Sequence, residues 1–342
     1  MQIDDRKLKI LQAVIADYIS TAQPIGSRTI AKKYKLGISS ATIRNEMSDL
    51  EEMGFLKQPH TSAGRIPSEK AYRLYVDRLM PTKKLSPEEQ EIIIKELGYR
   101  VDEIEGIIRK TARILSQLTK YTSLVMSSQF DGCKLRHVHF VPIDNYSFVA
   151  VIVMDTGVVK NTIIKTADTV TPDYLESLTR AVNDIFAGIS IEELRRCIES
   201  EDYRKLVYKY RLLETLLPLV TESLEEVIGD DVYADGMSNI FNFPEYADIS
   251  KAKNLLELLE QKDQLMAVIN KIGGRGVIVS IGSELQHNCM MDCSLVTATY
   301  RSGEREVGRI GIIGPTRMEY ERVVAVLEFM AEYISRLIKT DW

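Results

Sequence analysis

One short stretch, Ser39-Ser40-Ala41-Thr42-Ile43-Arg44-Asn45-Glu46-Met47-Ser48, gathers side chains suited to reading DNA. In the major groove an asparagine makes two hydrogen bonds to adenine and an arginine two to guanine. Alanine and threonine methyls meet the thymine methyl there. Ser39 and Ser40, with the unpaired backbone N–H groups of a helix start, suit a phosphate. Ile43, Met47 and Leu50 recur at helical spacing and mark one face as core. Ala41, Thr42, Asn45 and Ser48 then project from the opposite side, with Arg44 on the flank. Asp49, Glu51 and Glu52 would repel phosphates, so only the first half of the helix is expected to approach DNA. Taken alone, the stretch reads equally as an amphipathic helix with a solvated outer face.

A reading helix needs a bracing helix and a small core beneath it. Asp4 and Asp5 suit the cap of a first helix to about Thr21, with Leu8, Leu11, Val14 or Ile15, Tyr18 and Ile19 on its apolar side. Gln23-Pro24-Ile25-Gly26 breaks it. Ser27 is expected to cap a short second helix, Arg28 to Tyr34, whose start offers Ser27 and Arg28 to another phosphate. Lys35-Leu36-Gly37-Ile38 is a tight turn. Ser39 or Ser40 caps the third helix, which runs to about Met53 and stops at Gly54. Two β-like pieces, 55–58 and 65–67, enclose a loop. In this hairpin His60, Thr61 and Arg65 either reach an adjacent groove or form a plain solvent turn. Ser68 starts a fourth helix, to about Met80. The ordered series lowers the weight of the bland reading and predicts a winged helix-turn-helix.

Charge agrees with this reading. Residues 1–84 carry 15 Lys and Arg against 9 Asp and Glu, whereas the whole chain of 342 residues is net −5. A basic head on an acidic body suits a nucleic-acid module joined to something else. Pro81-Thr82-Lys83-Lys84 reads as a linker, and Ser86-Pro87-Glu88-Glu89 as a strong helix start. Helical patterning continues to about Thr119 with a break near Gly98. The apolar period then changes to two over 122–130, 134–142, 146–154 and 158–165, with Asp155-Thr156-Gly157 as a hairpin turn. A mainly helical stretch, 172–260, includes segments 173–187, 191–199 and 202–228, and Val232–Phe243 is expected to hold a small strand pair. A helix near 262–271, strands near 276–281, 294–300 and 306–313, and a helix from about Arg317 to Lys339 complete the chain. The predicted class is a multidomain α+β protein. A winged helix occupies 1–84, linker helices and the first part of a sheet domain 85–168, a mostly helical insert 169–262, and the rest of the sheet domain 263–342.

No catalytic set emerges, so no enzyme is expected. His137 and His139 share a strand face, but a pair of histidines falls short of the ligand count that makes a metal site. The spacing of His287, Cys289 and Cys293 matches no common zinc pattern. Gly273-Gly274-Arg275-Gly276 lacks the Lys-Ser/Thr of a phosphate loop and leads into a strand. No cofactor and no metal are expected. The four cysteines form no CxxC pair, the N-terminus lacks a signal-peptide pattern, and no run of about 18 apolar residues reads as a membrane span. A reduced, cytoplasmic protein without a membrane partner is expected.

The segment SSATIRNEMSDLEEMGFLKQPHTSAGRIPSEKAYRLYVDRLM (39–80) resembles the signature of the HrcA family of heat-inducible transcription repressors. PIGSRTIAKKY (24–34) and GIIGPTRMEYERV (311–323) extend the resemblance. It implies a winged helix, a GAF-like sheet domain and an inserted dimerisation domain. It also implies a homodimer on an inverted-repeat operator, repression of chaperone operons, and modulation by a GroEL-type chaperonin. DNA contacts are expected from Ser27, Arg28, Ser39, Ser40, Ala41, Thr42, Arg44, Asn45, Ser48, His60, Thr61 and Arg65. The alternatives are a winged-helix regulator whose GAF-like domain senses a small molecule and, from another class, an enzyme with the sheet domain as its body.

Overall fold

Helix α1 (Asp5–Thr21) starts where the Asp4 carboxylate accepts the Lys7 backbone N–H, and ends at Ala22, whose φ is +56°. In the computed structural model the described residues are 3–60, 63–98, 104–127, 134–155, 159–198, 204, 207–208, 210–214, 231–303 and 305–340. Helices α2 (Ser27–Tyr34) and α3 (Ser40–Glu52) follow. A two-stranded ribbon, β1 (Leu56–Lys57) with β2 (Ile66–Pro67), leads to α4 (Glu69–Leu74), which runs on as a π-turn through Leu79. Ile10, Leu11, Val14, Ile15, Ile30, Ile43, Met47, Leu50, Phe55, Leu56, Tyr72 and Tyr75 are all buried and form the core of this module. Burying a side chain of this size contributes about 1.5–3 kcal/mol.

Beyond it lie α5 (Pro87–Gly98), α6 (Ile104–Thr119), β3 (Thr122–Ser127), β4 (Leu135–Asp144), β5 (Ser147–Met154), β6 (Val159–Lys165), α7 (Pro172–Phe186), α8 (Ile191–Ile198) and β7 (Asp231–Asp235). Helices Ile249–Glu260 and Lys262–Asn270 precede β8 (Val277–Ile281), β9 (Cys293–Ser302), β10 (Arg305–Pro315) and a long helix, Tyr320–Thr340. The box expected at the start of α5 is present: Glu89 accepts the Ser86 N–H at 3.1 Å while Ser86 accepts the Glu89 N–H at 3.2 Å.

The chain divides into two compact units. One holds residues 1–101, 105–126 and 232–337, the other 102–104, 127–231 and 338–342. The first contains the winged-helix module and a five-stranded sheet in the order β7-β3-β10-β9-β8. Leu124, Met126, Leu295 and Ile313 cluster with the helices of 249–270. Val296 and Ile312, which point to the opposite face by alternation, are also fully buried, so both faces are covered. The Tyr300 hydroxyl donates to the Met126 carbonyl at 2.9 Å, tying β9 to β3. A Cβ on Gly308 of the intervening β10 would lie 2.2 Å from both oxygens, which is why that position has no side chain.

The second unit contains the antiparallel sheet β4-β5-β6. Val138, Phe140, Phe148, Ala150, Ile152 and Ile164 pack against Leu175, Leu178, Val182 and Phe186 of α7 and Leu194 of α8. Asn183 of α7 serves the edge strand β4 as a neighbouring strand would. Its amide accepts the Val138 N–H at 2.8 Å and donates to the Val138 carbonyl at 2.7 Å. The opposite sheet face carries His137, His139 and Val141, in register with Val153, Val151 and Val149, which pair with Val159, Asn161 and Ile163. Val141, Val159 and Ile163 on it are exposed.

Three expectations change. The strands of 134–165 do not join those of 277–315: they form their own sheet, and the second compact unit spans 127–231 instead of the expected helical insert at 169–262. Period-two alternation fixes which face of a strand is apolar, not which sheet it joins. The stretch 232–243 holds one strand, β7, followed by a 3-10 turn over Met237–Asn242, not a strand pair. Ser27 is the first residue inside α2 and caps nothing, because Gly26 takes the cap position with no side chain to offer. Thr156 and Gly157 of the expected turn, and most of 202–228, lie outside the described residues.

Candidate nucleic-acid interface

Helices α2 and α3 are joined by a tight turn in which Lys35 and Gly37 adopt φ of +45° and +73°. Ser39 is the cap of α3: its side chain accepts the Thr42 N–H at 3.1 Å, and its hydroxyl lies 2.9 Å from that of Thr42. Ser40 is the first helical residue and is half-buried, as is Thr42, whose hydroxyl is tied up in the cap. Ile43, Met47 and Leu50 face the core. Ala41, Arg44, Asn45 and Ser48 are exposed, and their spacing makes them one continuous outer stripe two turns long. Arg28 is exposed near the start of α2, and Ser27 beside it is half-buried.

The wing is pinned to the helices by backbone. Ile25 and Arg65 exchange two hydrogen bonds of 2.9 Å, and a Cβ on Gly64 would lie 2.4 Å from the Ile25 carbonyl group. His60 is exposed at the wing tip, where its carbonyl accepts the Ala63 N–H. Thr61 lies outside the described residues. Arg65 is placed differently from the exposed cations. Its guanidinium meets Glu51 of α3 at 2.8 Å and its side chain is only 20% exposed, so it braces the wing against α3. The structure therefore gathers Ala41, Arg44, Asn45 and Ser48 on one stripe, with Ser39 at its head, and leaves Arg65 turned inward.

The acidic half of α3 is neutralised from beneath. Lys7 of α1 lies 2.7 Å from Glu46, 3.0 Å from Asp49 and 3.9 Å from Asp4. Hydrogen bonding to Glu46 first, and then to Asp49, raises the Lys7 pKa and keeps the ammonium charged. Asp17, buried in α1, pairs in the same way with Lys33 of α2. Arg28, Lys32, Lys35, Arg44 and Lys57 have no acidic partner among the described residues and are exposed, which leaves their charge available to phosphates. Lys7 was not found from the sequence. A charged residue 39 positions from its partner carries no local signal, although its place on the inward flank of α1, one residue before Leu8, was visible.

The module is joined to the sheet body of the same unit through polar side chains. Arg73 donates to both oxygens of Glu284, at 2.9 and 2.5 Å, and to the Val279 carbonyl. Glu69 accepts the Ser283 N–H at 3.2 Å and its hydroxyl at 2.6 Å. The Tyr75 hydroxyl donates to Glu321, and burial followed by that carboxylate raises its pKa. Arg317 forks onto Glu245, lies 5.7 Å from the centre of the Phe243 ring, and donates at 3.0 Å to the Ile19 carbonyl, which the last turn of α1 leaves without a helical partner. Among the described residues no group of three metal-ligating side chains is present, and no helix is long and apolar enough to cross a membrane.

A family model described as a winged helix-turn-helix transcription repressor, HrcA DNA-binding, matches residues 3–78. A second, the HrcA protein C-terminal domain, matches residues 105–324. A heat-inducible transcription repressor HrcA from Pelotomaculum thermopropionicum is 44% identical over 340 residues, which cover 99% of this chain and 98% of the relative. One of the same name from Ruminiclostridium cellulolyticum is 43% identical over 341 residues, at 99% and 98% coverage. A crystal structure of a hypothetical protein at 2.2 Å resolution superposes with a TM-score of 0.69 at 23% identity, covers 99% of both chains, and supports the fold. With its helix-turn-helix, its wing and its sheet body all inside these matches, the chain belongs to the HrcA family of transcription repressors.

Proposed function

We propose that two copies of this chain bind an inverted-repeat operator through their α3 helices, in the cytoplasm, and so block transcription of chaperone operons. The observation that carries this reading is the exposed stripe Ala41, Arg44, Asn45 and Ser48 on a serine-capped helix whose other face is core. Arg44 and Asn45 read base edges, Ser39, Ser40, Ser27 and Arg28 hold phosphates at two helix starts, and His60 at the wing tip reaches the neighbouring backbone. Thr42 and Arg65 support the site from within: Thr42 closes the cap, and Arg65 fixes the wing.

A palindromic operator calls for a two-fold protein. The open face of β4-β6, with Val141, Val149, Val151, Val153, Val159 and Ile163 in one register, supplies the apolar surface such a pairing buries. The five-stranded body is read as the GAF-like domain of the family. The relatives' description as heat-inducible supports a regulated folding equilibrium, in which a GroEL-type chaperonin returns the repressor to its DNA-competent state until unfolded clients occupy it.

The test is a gel-shift titration against duplexes selected from genomic DNA by the wild-type chain. Arg44→Ala with Asn45→Ala abolishes specific binding and leaves oligomeric state unchanged; unaltered affinity overturns the assignment of α3. Purified chaperonin added to the same assay raises the active fraction, and no effect counts against its role.

A further inference from the structure

We propose that Lys7 is a positioning residue for DNA reading, masking the Glu46 and Asp49 carboxylates so that α3 meets the groove beyond its first turn. This rests on α3 being the reading helix. Helix α3 carries Glu46, Asp49, Glu51 and Glu52 against a single arginine. Asp49 and Glu52 lie one turn beyond Asn45 and Ser48, at the spacing that puts side chains side by side on a helix. Left bare, they would face a duplex that carries one negative charge per ~1.7 Å of its length.

The structure supplies the compensation from two other elements. The Lys7 ammonium contacts Glu46 at 2.7 Å and Asp49 at 3.0 Å, and Arg6 reaches Glu46 at 3.5 Å. Arg65 covers Glu51 at 2.8 Å. The Lys7 and Glu46 side chains are 13% and 12% exposed, so little water screens their pairing. Asp49 is 45% exposed and forms the outer end of the network, nearest to solvent. Of the four carboxylates, Glu52 alone has no cation partner among the described residues.

Masking and simple bracing make opposite forecasts for one variant. If Lys7 only ties α1 to α3, Glu46→Gln with Asp49→Asn breaks the tie and weakens DNA binding as Lys7→Met does. If Lys7 masks charge, the same double change removes the repulsion and binding holds or tightens. The experiment measures fluorescence-anisotropy titrations of the full chain against a labelled duplex selected from a random library by the wild type, at several salt concentrations. Lys7→Met is expected to weaken binding about tenfold at low salt, with the loss shrinking to under about threefold as salt screens the carboxylates. Lys7→Met combined with E46Q and D49N is expected to recover to within about threefold of wild type, a gap of less than one tenfold step in affinity. Lys7→Arg is expected to bind as wild type.

Binding by E46Q/D49N that falls as far as Lys7→Met, or Lys7→Met binding within about twofold of wild type at low salt, overturns the proposal, since about twofold is only roughly a third of the tenfold step expected. Should Lys7→Met fail to fold, E46Q/D49N and Lys7→Arg still decide it, because both keep a cation at position 7. R44A/N45A is titrated alongside. If that pair keeps full affinity, the reading helix itself is misassigned; if it loses affinity while the Lys7 variants do not, only the masking fails.

Discussion

Arg317→Met is expected to destabilise the sheet body where it meets the winged-helix module by about 3–4 kcal/mol, a figure that follows from the burial of its pair with Glu245 of the same body. The guanidinium side chain is 10% exposed and its partner Glu245 23%. Removing one member of a buried pair costs about 3–5 kcal/mol, because the other charge is left uncompensated. Glu245 retains some contact with water, which recovers part of that and favours the lower end. The Ile19 carbonyl, now without its donor at 3.0 Å, adds about 1 kcal/mol. Methionine retains much of the apolar volume against Phe243, so the change reports on charge more than on packing. Urea denaturation followed by circular dichroism measures the loss. Glu245→Gln in the Arg317→Met background should return about 2 kcal/mol, since it removes the stranded charge; this is the coupling a double-mutant cycle reads. A loss below about 1 kcal/mol, or a cycle with no coupling, refutes the view that this fork anchors Arg317 beneath the Ile19 carbonyl of α1.

Gly64, Cys293 and the open face of β4-β6 each give a further outcome. Gly64→Ala places a methyl 2.4 Å from the Ile25 carbonyl and should open the Ile25–Arg65 pair, at about 1–3 kcal/mol in thermal melts; an unchanged melting temperature means the wing is held elsewhere. Burial pushes the Cys293 thiol from 9.0 up to about 11, so iodoacetamide at neutral pH should label Cys197 and Cys289 and spare Cys293 when mapped by mass spectrometry. The raised value also has a sign for stability: the unfolded thiol ionises first, so this contribution is intact below about pH 9 and is lost as pH rises towards 11. Ile163→Glu with Val159→Glu on the open face of β4-β6 should convert a dimer to a monomer in light scattering without lowering helix content, and a persisting dimer means that face is not the interface.

The winged helix was legible because its signals are local. Ser39 caps, Gly54 takes a positive φ at the helix end, and Ile43, Met47 and Leu50 repeat on one face, all within one turn or two of the residues they organise. The outer stripe follows from the same spacing, although Thr42 turned out to serve the cap and Arg65 the wing. The partition of the strands was not legible. Val149, Val151 and Val153 alternate with Phe148, Ala150 and Ile152 identically whichever sheet β5 enters, and only distant pairing decides. Lys7 and Arg317 escaped for the same reason. Their partners lie 39 and 72 positions away, beyond anything a local charge pattern encodes.

The strand order β7-β3-β10-β9-β8 has a consequence for the time course of folding. Its middle strand, β10, is the last of the five in sequence, and β3, beside it, is the first. A chain emerging from the ribosome completes the winged helix early, but carries β3 with one edge unsealed until residues 305–315 arrive. Over that interval the edge is a template for another chain. Closing the sheet also requires a loop of about 180 residues between β3 and β10, which places this body among the slow, high-contact-order folds. Synthesis therefore delivers a module able to touch DNA well before the body that holds it is finished, and the wait is set by topology rather than by any single residue.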